Sequence, residues 1–244
     1  MQPYEYESMH AQELRHWWFR GRRRLLVDLL RGVAGARAGS LRILDYGCGT
    51  GGNSLAYTSL GTVIGIEPDG VAVRLANQRG GAEYCRTTGT RLPFRQGSFD
   101  VVVASDVLEH IEDDVEAVSE IARVLRLGGA AIISVPAHQW LFSEHDVALH
   151  HFRRYSKAAI RNVLERSGLV VRRLSYWNAA LFPVLCVHRL LGNRRRTNQP
   201  QSDTVSAPWL LNEALGALLA VESSVVRRIG LPWGVSLVAL AERR

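Results

Sequence analysis

From residue 41 to about residue 135 the chain alternates short β-rich runs with longer amphipathic ones, a rhythm that few architectures accept. Strands separated by helices build βαβ units, so the pattern predicts an α/β fold with a parallel sheet covered by helices on both faces. Strands are expected at 41–46, 62–67, 82–85, 100–104 and 130–135. Gly128-Gly129, after 121–127, predicts a helix end and a tight turn into the fifth strand. Ser156 is a good N-cap for a helix to Arg166 that Gly168 ends, and 169–176 and 235–241 supply a sixth and a seventh strand. The 57 residues from Trp177 to Trp233 are too many for a simple connection and read as an insertion. Its middle, 193–206, is polar, bears arginines and Pro200, and reads as a linker between two apolar helices. Ahead of the first strand, 13–31 is expected to be a helix carrying Trp17, Trp18, Phe19 and several arginines.

With 47% apolar and 22% charged residues the chain has material for a full core, and 22 Gly against 8 Pro excludes collagen-like and proline-rich classes. The net charge is +7, and Lys157 is the only lysine among 30 basic residues. Such a surface attracts nucleic acid, anionic membrane or acidic substrates without discriminating among them. No nucleic-acid module is recognisable, so no nucleic-acid partner is expected. Cys48, Cys85 and Cys186 form no CxxC pair, which argues against a disulfide framework or thiolate zinc site and for a reducing cytosol. Residues 1–15 carry acids and aromatics where a secretory signal needs a basic and then an apolar stretch. The longest uncharged apolar run, 179–187, contains Pro183 and falls short of the ~20 residues that span a bilayer. A cytoplasmic protein without a membrane crossing is expected.

The first strand runs into Asp45-Tyr46-Gly47-Cys48-Gly49-Thr50-Gly51-Gly52, where glycines let a ligand approach the backbone closely. Gly47, Gly49 and Gly52 satisfy GxGxxG, and Glu67 stands where a ribose-binding acid would, so a nicotinamide or flavin enzyme is a rival. Asp45 argues otherwise, because a carboxylate at the mouth of the loop repels a pyrophosphate but bonds an ammonium. No Tyr-x-x-x-Lys pair surrounds Lys157, which further weakens an oxidoreductase or epimerase.

At this point the sequence resembles the class I S-adenosylmethionine-dependent methyltransferases. The matching motifs are 45–51, Ile64-Gly65-Ile66-Glu67, Leu92-Pro93-Phe94 with 97–102, Asp106-Val107-Leu108-Glu109-His110, and 123–129, in the family's order. The resemblance implies a Rossmann-like seven-stranded methyltransferase sheet at 39–176, completed by a final strand at 234–244. An N-terminal helical cap (1–38) and a helical insertion or lid (177–233) flank it. It implies S-adenosyl-L-methionine as cofactor. Gly47, Gly49 and Gly51 would cradle the methionyl part, Asp45 would hold the ammonium, and Glu67 would bind the ribose. Gly89 and Thr90 would lie beside the adenine, and Asp106 joins the cofactor-binding set. The family often has an Asp where this chain has Thr88.

An acceptor alcohol must lose its proton, so a base near neutral pKa is useful. His110, after the fourth strand, is the first candidate and His145 the reserve. Asp106, Glu109 and His110 would share one helix face, and some methyltransferases of this superfamily bind a divalent metal with such a set, with His138, His145, His150 or His151 as a further ligand. No metal is expected here, since acids near a helix start also suit the helix dipole. The stretch 135–156 resembles one methyltransferase subgroup with an Asp and a histidine–arginine–tyrosine cluster over the acceptor. That puts His138, His145, His151 and Tyr155 at the acceptor, with Arg153 and Arg154 holding the loop. One ring among Trp17, Trp18 and Phe19 would close the cofactor pocket.

In the insertion, a helix is expected after an N-cap at Ser206. Asn212, Glu213, Ser223, Ser224 and Arg227 fall in one arc, and Leu211, Ala214, Leu215, Leu218, Val221 and Val225 fall opposite, with Glu222 spoiling the apolar face. That face would pair with 176–187 and extend the core, or form a lid that, with Arg194 to Arg196, touches an anionic surface. The expected function is methyl transfer to a small or amphipathic acceptor, lipid- or glycan-linked, at oxygen, with peripheral contact at the inner membrane surface. The rival from another class is a noncatalytic scaffold that keeps the cofactor fold at a membrane surface.

Overall fold

The computed structural model of the chain describes residues 3–87, 90–192 and 208–244, the side chains of Pro3, His145 and 188–192 excepted. In chain order the elements are α1 (Pro3–Gln12), α2 (Trp17–Ala34), β1 (Leu41–Tyr46), α3 (Gly52–Tyr57), β2 (Gly61–Glu67), α4 (Gly70–Arg79), β3 (Glu83–Arg86), β4 (Phe99–Ser105) and α5 (Asp114–Val124). There follow β5 (Leu125–Pro136), α6 (Glu144–Ala148), α7 (Lys157–Arg166), β6 (Leu169–Trp177), α8 (Phe182–Gly192), α9 (Trp209–Arg228) and β7 (Ser236–Arg243). They form one seven-stranded sheet in the order β3-β2-β1-β4-β5-β7-β6. β1 to β5 pair in parallel, and β7 inserts antiparallel between β5 and β6.

Alternation along the strands splits the core in two. Ile43, Val101, Val103, Ile132 and Val238 pack on one face with α2 and α9, and Leu44, Val102, Ala104, Ile133 and Leu237 pack on the other with α5 and α7. Each fully buried Ile, Val or Leu contributes about 1.5–3 kcal/mol, so both helical layers are integral to the fold. Ser156 caps α7 as expected, accepting the Ala159 N–H at 3.1 Å. The three cysteines are free.

Four expectations need correction. α5 stops at Val124, and the strand begins at Leu125, which pairs with Phe99 in the core before an irregularity. Gly128 (φ 70°) therefore lies in a bulge within β5 and does not cap the helix. The helix expected over 13–31 starts later and is preceded by a break: α1 ends at Gln12, and α2 runs from Trp17 to Ala34 behind His16, whose ring accepts the Trp18 N–H at 3.3 Å. The break frees Glu13 to turn toward the glycine loop, accepting from Thr50.

The third correction concerns α9, whose start is Trp209 behind Pro208; the expected cap Ser206 and the linker 193–206 lie outside the described residues. The helix turns its more polar arc inward. Asn212 accepts the Trp17 N–H at 2.8 Å, Glu213 pairs with Arg20, and Ser223 is buried. Leu219 sits against Gly21, where an added Cβ would collide with it. Glu222, expected to mar an apolar face, is buried and accepts the Ala179 and Ala180 N–H groups at 2.9 and 3.3 Å. Leu211, Leu218 and Val221 are exposed. The last correction is that α9 is long and apolar enough to cross a membrane. Its contacts with α2 and with 179–180 lay it along the domain instead.

Candidate active site

The strand order reverses between β1 and β4, and in an open α/β sheet the crevice at the carboxyl ends beside that point is where ligands bind. The glycine loop leaves β1 here. Gly47, Gly49 and Gly51 have φ of 73°, 53° and 83°, a left-handed backbone that L side chains resist. A Cβ at Gly47 would strike Val107, and one at Gly51 would lie 2.7 Å from the Tyr84 hydroxyl. The loop is held open by Gly47 and Cys48 N–H groups donating to the Ile66 carbonyl at 2.9 and 3.0 Å.

Two buried carboxylates bracket the loop. Asp45 accepts from the Ser54 hydroxyl at 2.5 Å, and burial pushes its carboxyl up to about 7. Glu67 ends β2 and accepts the Gly49 and Asp69 N–H groups at 3.1 and 3.2 Å; burial raises it too. One acid suited to an ammonium, one suited to a diol, and a backbone without side chains fit the methionyl and ribose parts of S-adenosylmethionine.

α1 lies over this loop. Tyr6 is buried near Glu67 and Asp69, and Met9 packs on Gly49. Glu13 accepts from Thr50 Oγ1 at 2.6 Å and forms a buried ion pair with Arg79 at 2.7 Å. The residues that lie against the glycine loop are thus Tyr6, Met9 and Glu13, which no sequence pattern singled out. Trp18 instead packs on Trp177 with ring centroids 5.0 Å apart, and Phe19 is buried.

At the end of β4, Asp106 takes a left-handed φ of 55°, pairs with Arg22 of α2 and accepts from Ser134 Oγ at 3.0 Å. Glu109 is buried, held well above its ordinary range by burial and by Asp106, and its Oε2 has no hydrogen-bond partner. His110 stands at the exposed rim, edge-on to His151 at 4.6 Å. Desolvation and the facing ring hold His110 below the usual histidine range. His151 Nδ1 lies 2.9 Å from Asp146 Oδ1, which also accepts from Arg154 Nε at 2.7 Å. Glu109, His110 and His151 bring three donor atoms within 4.8 Å of one another, an arrangement open to a cation.

Other expected residues sit elsewhere. Tyr155 is only 2% exposed, and its hydroxyl donates to Asp114 at 2.7 Å, which makes it a core residue. His138 lies in an aromatic stack, 5.1 Å from Tyr176, with Nε2 3.1 Å from the Gly234 carbonyl. Arg153 and Arg154 bond Asp114 and Asp146, as a self-held loop requires. Thr90 is half-buried; Thr88, Gly89 and the His145 side chain lie outside the described residues. Arg22 Nε, beside Asp106, and the amide of Asn178, after β6, are buried without a hydrogen-bond partner and were not anticipated.

Residues 44–133 match the family described as methyltransferase domain. An uncharacterized methyltransferase of Mycobacterium sp. (strain KMS) is 36% identical over 140 residues, 56% of this chain and 55% of the relative. The chain thus spans about half the length of the curated relatives it matches. Among solved structures, the YcgJ protein of Bacillus subtilis superposes with a TM-score of 0.58 at 17% identity, covering 89% of this chain and 97% of that one. Haemonchus contortus phosphoethanolamine N-methyltransferase 2, solved with S-adenosyl-L-methionine, gives 0.59 at 17%, covering 89% and 51%. At such identities the likeness concerns the fold.

Proposed function

We propose that this chain is a class I S-adenosylmethionine-dependent methyltransferase that methylates an oxygen of a small or amphipathic, lipid- or glycan-linked acceptor. The observation that carries this reading is the pair of buried carboxylates, Asp45 and Glu67, at the carboxyl ends of β1 and β2, together with a histidine oriented by Asp146 in the loops that follow β5. When bound, the donor supplies an electrophilic methyl group on a sulfonium. Asp45 and the glycine-loop backbone hold its amino-acid end, and Glu67 accepts from the ribose hydroxyls. α1 excludes water from above.

The acceptor hydroxyl gives its proton to the histidine pair. Asp146 accepts from Nδ1–H of His151, which fixes the tautomer whose Nε2 lone pair is open to receive that proton. His110, kept neutral by its surroundings, faces the same ring and is the alternative acceptor of the proton. Glu109 retains its own proton and offers an O–H to a polar group of the acceptor. Arg22 Nε, beside Asp106, offers a further hydrogen bond there.

The test incubates the protein with methyl-labelled donor and, separately, soluble and lipid extracts. Label should enter a lipid- or glycan-linked hydroxyl, identified by mass spectrometry. Glu67→Ala should weaken donor binding by about 2–3 kcal/mol. Donor binding with no label transferred would make the chain a noncatalytic scaffold, and label on nitrogen or carbon would overturn the oxygen assignment.

A further inference from the structure

α8 and α9 together leave a broad apolar surface without a partner. In α8, none of the residues 182–187 is buried, and Val184 and Val187 are 65% and 55% exposed. In α9, Trp209, Leu210 and Val221 are 73%, 72% and 66% exposed, and Leu218 joins them on the outward side. The two stretches adjoin, because Glu222 of α9 receives the amides of 179 and 180 just before α8. This is the reverse of an ordinary surface helix, which buries its apolar arc.

We propose that this face is the contact with an anionic lipid surface. Charge selects the occupant. Residues 177–233 hold six arginines and three acids. Of those acids, Glu213 is paired with Arg20 and Glu222 is buried, so both described ones are withdrawn from the outward side. Arg227 and Arg228 are exposed at the end of α9. A second copy of the chain would bring like-charged faces together, whereas anionic headgroups neutralise them while the apolar arc enters the acyl boundary. α9 lies flat for this purpose, because its inward row is tied to α2 by Asn212 and Leu219. The inference stands on this surface and does not rest on methyl transfer.

Vesicle sedimentation of the full chain tests it. The protein should pellet with phosphatidylcholine–phosphatidylglycerol vesicles at low salt, less at high salt, and little with phosphatidylcholine alone. The double variant Leu210→Glu, Val221→Glu, both at exposed positions, should lose about tenfold or more in partitioning with its donor titration and melting unchanged. No pelleting at low salt, or equal pelleting of the folded variant, overturns the inference. So does a wild-type dimer in sedimentation velocity that the variant converts to monomer, which would mean that a second copy covers the face. Should the variant not fold, the lipid-charge and salt dependence of the wild type decides alone. Donor binding without vesicle binding defeats this inference only, and vesicle binding without donor binding defeats only the methyl-transfer reading.

Discussion

His151 Nδ1 lies 2.9 Å from Asp146 Oδ1, and that carboxylate is fully buried. Burial alone would raise Asp146, but hydrogen bonds from His151 and Arg154 outweigh it and hold the carboxyl below its ordinary range. The acid therefore stays ionised and keeps the His151 ring in one orientation. His151→Gln should lower kcat by about 10²-fold or more, with the donor Kd unchanged. Asp146→Asn should lower kcat in the same direction. Steady-state kinetics beside donor titration checks both. A kcat loss confined to His110→Gln would move the base to His110.

The pH dependence of donor binding follows from Asp45. Its carboxyl, raised by burial from 3.8 to about 7, must be ionised to bind an ammonium. Donor affinity should thus fall as pH drops through about 7, with proton release on binding near that pH, read by calorimetry in two buffers of different ionisation enthalpy. The ligand-free fold has the opposite trend: Asp45 binds a proton more tightly folded than unfolded, so its contribution to stability declines between 3.8 and about 7. Affinity unchanged from about pH 6 to 8 would contradict the assignment of Asp45.

The convergence of Glu109, His110 and His151 poses a separate question of metal dependence. Proton removal by a histidine needs no cation, so activity is expected to survive chelator treatment. Activity that disappears with chelator and returns with magnesium or manganese would make these three residues ligands.

Glu13 joins the N-terminal helix to the cofactor loop through Thr50 and Arg79. Glu13→Ala should speed donor dissociation in stopped-flow measurements, because α1 loses its tether. Leaving Arg79 buried without its partner should also cost about 3–5 kcal/mol of stability, measured by denaturant unfolding. An unchanged dissociation rate would mean that α1 does not gate the pocket.

Deleting 193–226 removes most of α9, and with it Leu219 and Val226 from the core beside α2. Folding and donor binding should fall together, with a lowered melting temperature as the readout. A stable deletion variant that binds donor but no longer turns over would make the insertion a detachable lid.

Local patterns in the chain determined a great deal. The alternation of β-rich with amphipathic runs placed all seven strands, and the ordered motifs from Asp45 to Gly129 pointed to a methyltransferase domain, whose family model matches 44–133. These features are legible because the backbone imposes them over a few residues: a pleat alternates side chains, and a left-handed turn favours glycine. The tertiary structure alone decided what meets what. Helical periodicity separated the two arcs of α9, but only the close approach at Gly21 and the polar partners on α2 and at 179–180 chose which arc faces inward. Tyr155 and His151 stand close together in sequence, yet one hydroxyl found Asp114 in the core while the other ring found Asp146 and His110 at the rim. Glu13 carried no motif, because its partners Thr50 and Arg79 lie far along the chain. Contacts of that kind depend on where the sheet carries each loop, and no local spacing encodes them.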